Sequence, residues 1–227
     1  MTRLAKILIA TTALAILPQM ACAGASDATG SSTTATGSTI LNGQVTFGAQ
    51  WSTVNTTVKS VSGDVTIQSQ AAGNALEAIT FDDTHVTSSQ DAESTNIGST
   101  LNANVNGVGG SVSITGSANC NTTDVSTDPN VTSVHSRQYC NAQDPGSEVN
   151  ASVSNVSGDV AVSSSASGNT YTEDTNAASA PTYLSQTNTS NVFGTANVNV
   201  HNVQGSVGVT SSAVGNTVQV VHYSTTP

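Results

Sequence analysis

The sequence predicts an all-β solenoid built from about four 47–48-residue repeats, and three observations carry that prediction. One phrase recurs four times, as SVSGDVTIQSQAAGN from Ser60, GVGGSVSITGSANCN from Gly107, NVSGDVAVSSSASGN from Asn155 and NVQGSVGVTSSAVGN from Asn202. Its glycines fall at Gly63, Gly110, Gly158 and Gly205 and its closing asparagines at Asn74, Asn121, Asn169 and Asn216, so both series keep steps of 47, 48 and 47 residues. A fixed period in the tens of residues is the mark of a stacked architecture in which each copy buries its apolar face on its neighbours. Inside each copy apolar and polar residues alternate: Val105, Val112, Ile114 and Ala118 with Asn104, Ser111, Ser113 and Ser117 in one copy, Val153, Val160, Val162 and Ala166 with Ser and Asp in the next. Such period-two alternation is strand chemistry with one apolar face. Charged residues are only 8% of the chain, far below the quarter usual for a globular domain. Asn, Ser, Thr, Gly and Val replace them, a composition suited to close-stacked strands whose polar side chains ladder with one another.

Taken in order, residues 1–23 read as a secretory signal peptide. Arg3 and Lys6 precede a mainly apolar run, Ile7 to Leu17, interrupted only by Thr11 and Thr12 and followed by small residues. The run is too short for a spanning helix, which needs about 20 residues. Ala21 and Ala23 supply the small-x-small pattern for cleavage after Ala23. The rival is a lipoprotein acylated at Cys22, but that pattern asks for a leucine-like residue three positions earlier and finds Gln19. Residues 24–39 lack periodicity and bulky side chains and read as a flexible Ser/Thr/Gly leader. Beyond the signal only Lys59 and Arg137 stand against 14 acidic residues. Two separated cations cannot form the basic stripe that nucleic acid or anionic lipid requires.

The repeat domain is expected over residues 40–227. Asn42-Gly43 between Ile40-Leu41 and Val45-Phe47 is a hairpin signal, because a type I′ turn needs two residues that tolerate positive φ. Trp51, the only tryptophan, would cap the open end of the stack. S-G-D and its equivalents make a glycine turn, and the Ser, Ala and Gly beyond it would mark a tight corner. Gln90, Gln138 and Gln186 are 48 apart, as are Gly98, Gly146 and Gly194, so the linking segments belong to the repeat. A fully extended copy would reach roughly 155 Å, which suggests two rungs per copy. In a parallel stack the four asparagines and three glutamines would lie in columns and exchange amide hydrogen bonds; asparagines placed in turns for left-handed φ would explain the Gly-Asn pairs equally well. The variable segments after Phe81 and Thr127 are the candidate recognition loops.

Cys120 replaces the glycine of the other copies (Gly73, Gly168, Gly215), and its partner in the exported chain is Cys140. Two cysteines 20 residues apart in a secreted protein point to a disulfide. The alternative, zinc held with His135, lacks paired C-x-x-C spacing. No G-x-S-x-G elbow, H-E-x-x-H pair, Walker loop or EF-hand loop occurs. His85, His135, His201 and His222 keep no common place in the repeat, Asp64 and Asp159 read as turn residues, and the adjacent Asp82 and Asp83 would point to opposite faces of a strand. No catalytic residues, cofactor or metal site are expected.

The phrase V-x-G-x-V-x-V-x-S-x-A-x-G-N, at Val156–Asn169 and Val203–Asn216, resembles the repeats of curlin-like secreted bacterial surface proteins, including the holdfast-anchor group. The likeness covers roughly residues 40–221. It implies export through an outer-membrane pore, an amyloid-like or β-solenoid fold, and work in surface attachment or biofilm on the extracellular face of the bacterial envelope. It carries no individual functional residues. The expected function is thus a non-enzymatic structural or adhesive subunit whose last rung, ending with Thr217 to Tyr223, offers unpaired backbone to another copy or a related subunit, with surface polysaccharide as a further partner. The alternative is a monomeric carbohydrate-binding β protein using Trp51, Tyr139, Tyr171 and Tyr183. A polysaccharide-cleaving β-helix enzyme would need acidic residues gathered on one rung.

Overall fold

The computed structural model describes residues 38–81, 83–94, 96–128 and 132–223; the signal sequence, Cys22 and Asp82 lie outside them. Twelve strands follow one another with no helix among the described residues. The first rung is β1 (Ser38–Thr46), β2 (Gln50–Val61) and β3 (Val65–Thr80); the second is β4 (Thr84–Ala92), β5 (Ile97–Val108) and β6 (Val112–Thr127). The third is β7 (Thr132–Cys140), β8 (Gly146–Val156) and β9 (Val160–Thr175), and the fourth is β10 (Thr182–Asn188), β11 (Phe193–Val203) and β12 (Val207–His222). Every third strand pairs in parallel, giving sheet A (β1-β4-β7-β10), sheet B (β2-β5-β8-β11) and sheet C (β3-β6-β9-β12).

Each copy therefore forms one rung of three strands, not two rungs. The length estimate overlooked how flat the coil is. The long strands of sheet C form one wall, whose first half faces sheet B and whose second half faces sheet A. Val65, Ile67, Val112, Ile114, Val160 and Val162 pack on Leu101, Val105, Val149 and Val153 of sheet B. Further along, Val125 and Tyr171 pack on Val86 and Val134 of sheet A. The expected tight corner at Ser, Ala and Gly is absent, because the 16-residue strands run straight through it. Small side chains let the two walls approach instead: Ser99 Oγ donates to Ser69 Oγ at 2.8 Å and Ser164 Oγ to Ser147 Oγ at 2.9 Å across the interior.

The Asn42-Gly43 hairpin is also absent. β1 runs through it, its whole length paired with β4, because a local turn preference yields where a neighbouring strand offers a continuous ladder of backbone partners. The real bend lies between sheets B and C. Ser60, Gly107, Asn155 and Asn202 carry it with φ of 56°, 74°, 54° and 55°. Gly63, Gly110, Gly158 and Gly205 follow and stack, but their φ is ordinary. Glycine is needed there for close approach: a Cβ at Gly110 would lie 2.7 Å from the Gly63 carbonyl carbon, and one at Gly158 2.7 Å from that of Gly110. Asp64 and Asp159 reach upward at this bend, where Asp64 Oδ1 accepts the Ser111 N–H at 2.7 Å and Asp159 Oδ1 that of Ser206 at 2.8 Å. Gly194 leaves the column of Gly98 and Gly146, because β11 stacks at a step of 47 and sets Phe193 on Gly146.

Candidate functional site

Two features could do work here, the columns of amides that tie the rungs together and the surface the last rung leaves open. In sheet C the inward/outward alternation slips once per strand, so that Cys120 and Asn121 both point inward, as do Gly168 and Asn169. The irregularity is shared in register by all four strands, and it aims the asparagines at sheet A. Asn74 Nδ2 donates to Asn121 Oδ1 at 2.8 Å, Asn121 Nδ2 to Asn169 Oδ1 at 2.7 Å and Asn169 Nδ2 to Asn216 Oδ1 at 2.8 Å. The same nitrogens donate to the carbonyls of Asp91, Tyr139 and Thr187 across the interior. None of these asparagines is left-handed, so the turn explanation of the Gly-Asn pairs does not apply.

A second column answers from sheet A. Gln186 Nε2 donates to Gln138 Oε1 at 2.7 Å, Gln138 to Gln90 at 2.9 Å and Gln90 to Gln44 at 3.0 Å. Each also donates to a carbonyl of sheet C: Thr217, Thr170 and Thr122 respectively, with Gln44 on Ala75. Sequence reasoning missed Gln44, whose step to Gln90 is 46 rather than 48. It also missed a ladder on the outer wall of sheet B, where Asn102, Asn150 and Asn197 each donate to the asparagine one rung earlier, beginning at Asn55, at 2.7, 2.9 and 2.9 Å. The steps of 47, 48 and 47 through Asn55, Asn102, Asn150 and Asn197 were the available signal.

Cys120 and Cys140 form a disulfide between β6 and β7, with Cα atoms 5.9 Å apart and both residues fully buried. It lies beside the Asn121–Tyr139 hydrogen bond and makes the same link between walls covalent. His135 takes no part and packs against Tyr183 with ring centroids 4.6 Å apart. In the chain-entropy account the bridge is worth about 3 kcal/mol. Replacing both cysteines by serine should lower the unfolding free energy by about that much, measured by denaturant titration against the oxidised parent. An unchanged midpoint would show that the reduced chain is already held by its ladders.

Trp51 belongs to the first rung but does not cap the interior. Its indole stands on the outer wall of sheet B, donates to Thr53 Oγ1 at 2.9 Å, and covers Gly98 of the next rung, where any Cβ would collide with the ring. Phe193 covers Gly146 in the same way from the fourth rung. Of the tyrosines considered as stacking platforms, Tyr183 is exposed and Tyr139 half-buried, whereas Tyr171 is enclosed. Its hydroxyl donates to Glu173 Oε2 at 2.7 Å, and Thr182 Oγ1 donates to the same carboxylate. Burial, reinforced by the Glu173 hydrogen bond and charge, pushes the Tyr171 hydroxyl far above its ordinary pKa. Tyr171 is a core residue and cannot contact a glycan.

The open surface is at the end of the coil. Because the coil climbs as it turns, β3 faces both β2 and β5 and both β1 and β4, whereas β12 meets only β11 and β10 on the facing side. Val65 and Ile67 are each 8% exposed, and Val160 and Val162 each 1%. Their counterparts Val207 and Val209 are 48% and 46% exposed, and Val218 and Val220 51% and 47%. The backbone edge of β12 away from β9 has no strand beside it among the described residues.

A model of the holdfast attachment protein D family matches residues 18–221. The chain belongs to that family. Membership gives a role in surface adhesion or holdfast anchoring and a cell-surface or extracellular location. No curated protein and no solved structure matches the chain. The relation to curlin, as distinct from the holdfast attachment family, has no support from the match.

Proposed function

We propose that this member of the holdfast attachment protein D family is a non-enzymatic structural subunit, held on the extracellular face of the envelope after export through an outer-membrane pore, that joins a second copy or a related subunit through the strand edges of its terminal rungs. The observation that carries the reading is the uncovered inner face of β12. The opposite end offers what that face lacks: Val54, Val58 and Ile40 line the half-open underside of β1 and β2. A following copy placed in register would set these residues against Val207, Val209 and Val218 and pair the free edge of β12.

The ladders favour one polarity. Gln186 ends its column with an Oε1 that receives no ladder hydrogen bond, while Gln44 at the other end has an amide N–H beyond its bond to Ala75. Asn197 likewise ends with an unmatched Oδ1 and Asn55 with an unmatched amide. Joined head to tail, donors meet acceptors; head to head, acceptors would meet acceptors.

The test is sedimentation analysis and fibre diffraction on the mature chain beside the variant Val209→Asp/Val218→Asp. These positions are already half-exposed in a lone chain, so the charges cost little there and are buried only at a joint. The expected result is long assemblies with a reflection near about 4.7 Å for the parent, and single chains of unchanged circular dichroism for the variant. A parent that sediments as a monomer at every concentration overturns the proposal.

A further inference from the structure

The outer walls of the two terminal rungs differ from those of the middle rungs. Each outward residue stands directly above its counterpart one rung earlier, so every outward position forms a column of four. In the column that starts with Leu41 the next two places are Thr87 and His135, and the fourth is Tyr183. Ile79 is followed by Ser126 and Asp174, then by Val221. Just past these strands Phe81, Asp128, Asn176 and Tyr223 keep the same order, because the N–H groups of Asp128, Asn176 and Tyr223 donate to the carbonyls of Thr80, Thr127 and Thr175. Trp51 is separated from Phe193 by Gly98 and Gly146. Four columns, spread over all three walls, thus carry large apolar groups at both ends and polar or small residues between, apart from the His135–Tyr183 ring contact. Leu41 is 75% and Phe81 79% exposed.

Exposed apolar girdles on so polar a chain call for a covering surface. A bilayer does not match them. Each girdle is one rung high, roughly 4.8 Å, against about 30 Å of hydrocarbon, and Asp128 stands one rung behind Phe81. A second copy of this chain does match. Continuing the stack by one more step sets its Leu41 on Tyr183, its Ile79 on Val221, its Phe81 on Tyr223 and its Trp51 on Phe193. The rings of Trp51 and Phe193 lean away from their own ends, over Gly98 and Gly146, so neither blocks the approach. Charge permits the same contact. At the bend Asp64, Ser111, Asp159 and Ser206 alternate up the stack. The Asp64 of a following copy lands on Ser206, whose hydroxyl can accept its N–H as Ser111 Oγ accepts that of Asp159 at 3.2 Å. Its Glu77 lands on Gln219, at the top of the column that starts with Glu77. In these two columns no carboxylate meets another across the joint, so an acidic chain can add a copy of itself.

Building on the end-to-end joining proposed above, we infer that these outward residues form an apolar collar around each joint, and that the partner the collar fits is a second copy of this chain placed head to tail. The collar is two rungs high, one girdle from each copy. It shields the backbone hydrogen bonds at the rim of the joint from water, which the inner valines of β12 cannot do. An unlike subunit would have to present apolar groups in all four columns to be held as well.

Two sets of variants of the mature chain test the collar. In Ile79→Cys/Val221→Cys the new cysteines lie three rungs apart within one copy, roughly 14 Å, too far for a disulfide. Across a joint they are vertical neighbours at roughly 4.8 Å, inside the bridging range. Mild oxidation should therefore give a ladder of covalent multimers on a non-reducing denaturing gel, and a mixture of Ile79→Cys with Val221→Cys should stop at dimers. The second variant, Ile79→Ser/Phe81→Asn, gives the first girdle residue types that the middle rungs carry in the same columns, Ser126 and Asn176. Its lone chain should keep the parent's circular dichroism melting curve, while sedimentation velocity should show assembly only at about tenfold or more higher concentration. If the parent assembles and Ile79→Ser/Phe81→Asn assembles at the same concentration, the collar falls and end-to-end joining stands. If the parent assembles but the cysteine pair gives no ladder, the register that the collar requires is wrong. A parent that stays monomeric at every concentration sinks the joining and the collar with it.

Discussion

Replacing Asn121 by aspartate should destabilise the solenoid by about 3–5 kcal/mol, the range for an uncompensated buried charge. Asn121 is fully buried and makes three hydrogen bonds, accepting from Asn74 and donating to Asn169 Oδ1 and the Tyr139 carbonyl. Aspartate keeps the first and turns the other two into contacts between oxygens. Burial raises the pKa of such a carboxyl above its unfolded value of about 3.9. The charge part of the deficit is therefore complete at neutral pH, shrinks as pH falls through the folded-state pKa, and vanishes below the unfolded one. What persists in acid is the loss of the amide donors. Denaturant titrations of parent and variant at neutral and acid pH read both parts. Asn102→Asp is the control, with the same kind of ladder on the solvent side, and should cost about 1 kcal/mol or less. Equal costs at the two positions would mean that the interior column does not hold the rungs together.

Deleting residues 111–158 should leave a folded, shorter solenoid. The cut removes one period and joins Gly110 to Asp159, two residues that occupy neighbouring places at the same bend. Asn169 then stacks on Asn74, Gln186 on Gln90 and Val160 on Val65, all in columns they already occupy. Repeat arrays are stabilised by contacts between adjacent units, so a missing unit removes its own share and one interface. The deletion also removes both cysteines of the disulfide, so its stability is compared with that of the double serine variant rather than the parent. The expected readout is a strand-type circular dichroism spectrum with a cooperative transition at a lower midpoint. A disordered spectrum would show that the four rungs fold only as a set.

How much of this was readable in advance depended on whether a feature repeats. Gly63, Gly110, Gly158 and Gly205 are legible because four identical residues at one step identify a column, whatever its geometry. The outer column beginning at Asn55 is equally regular and was available by the same reasoning, although asparagine is so common in this chain that the signal is diluted. Gln44 was obscured by its irregular step and by the hairpin signal around it. Features that occur once were harder. Trp51 reads as a cap from its place at the start of the array, yet its role depends on Gly98, a residue one period away whose missing Cβ makes room for the ring. Tyr171 looks like any other tyrosine of a polar chain until Glu173 and Thr182 close around its hydroxyl.

The sequence by itself determined the strand chemistry, the period and most of the columns, because in a parallel stack vertical neighbours follow the repeat step; Gly194 and Gln44, where the step shifts by a residue or two, are the exceptions. Only the tertiary structure decided that one copy makes one flat rung, that the asparagines look inward at sheet A while their outer counterparts stand on the outer wall of sheet B, and that β12 is left bare. Those outcomes depend on how far apart two walls can stand with valine between them and how closely they meet over serine and glycine, and on the climb of the coil. They are properties of contacts across the rung, which no single period of the chain records.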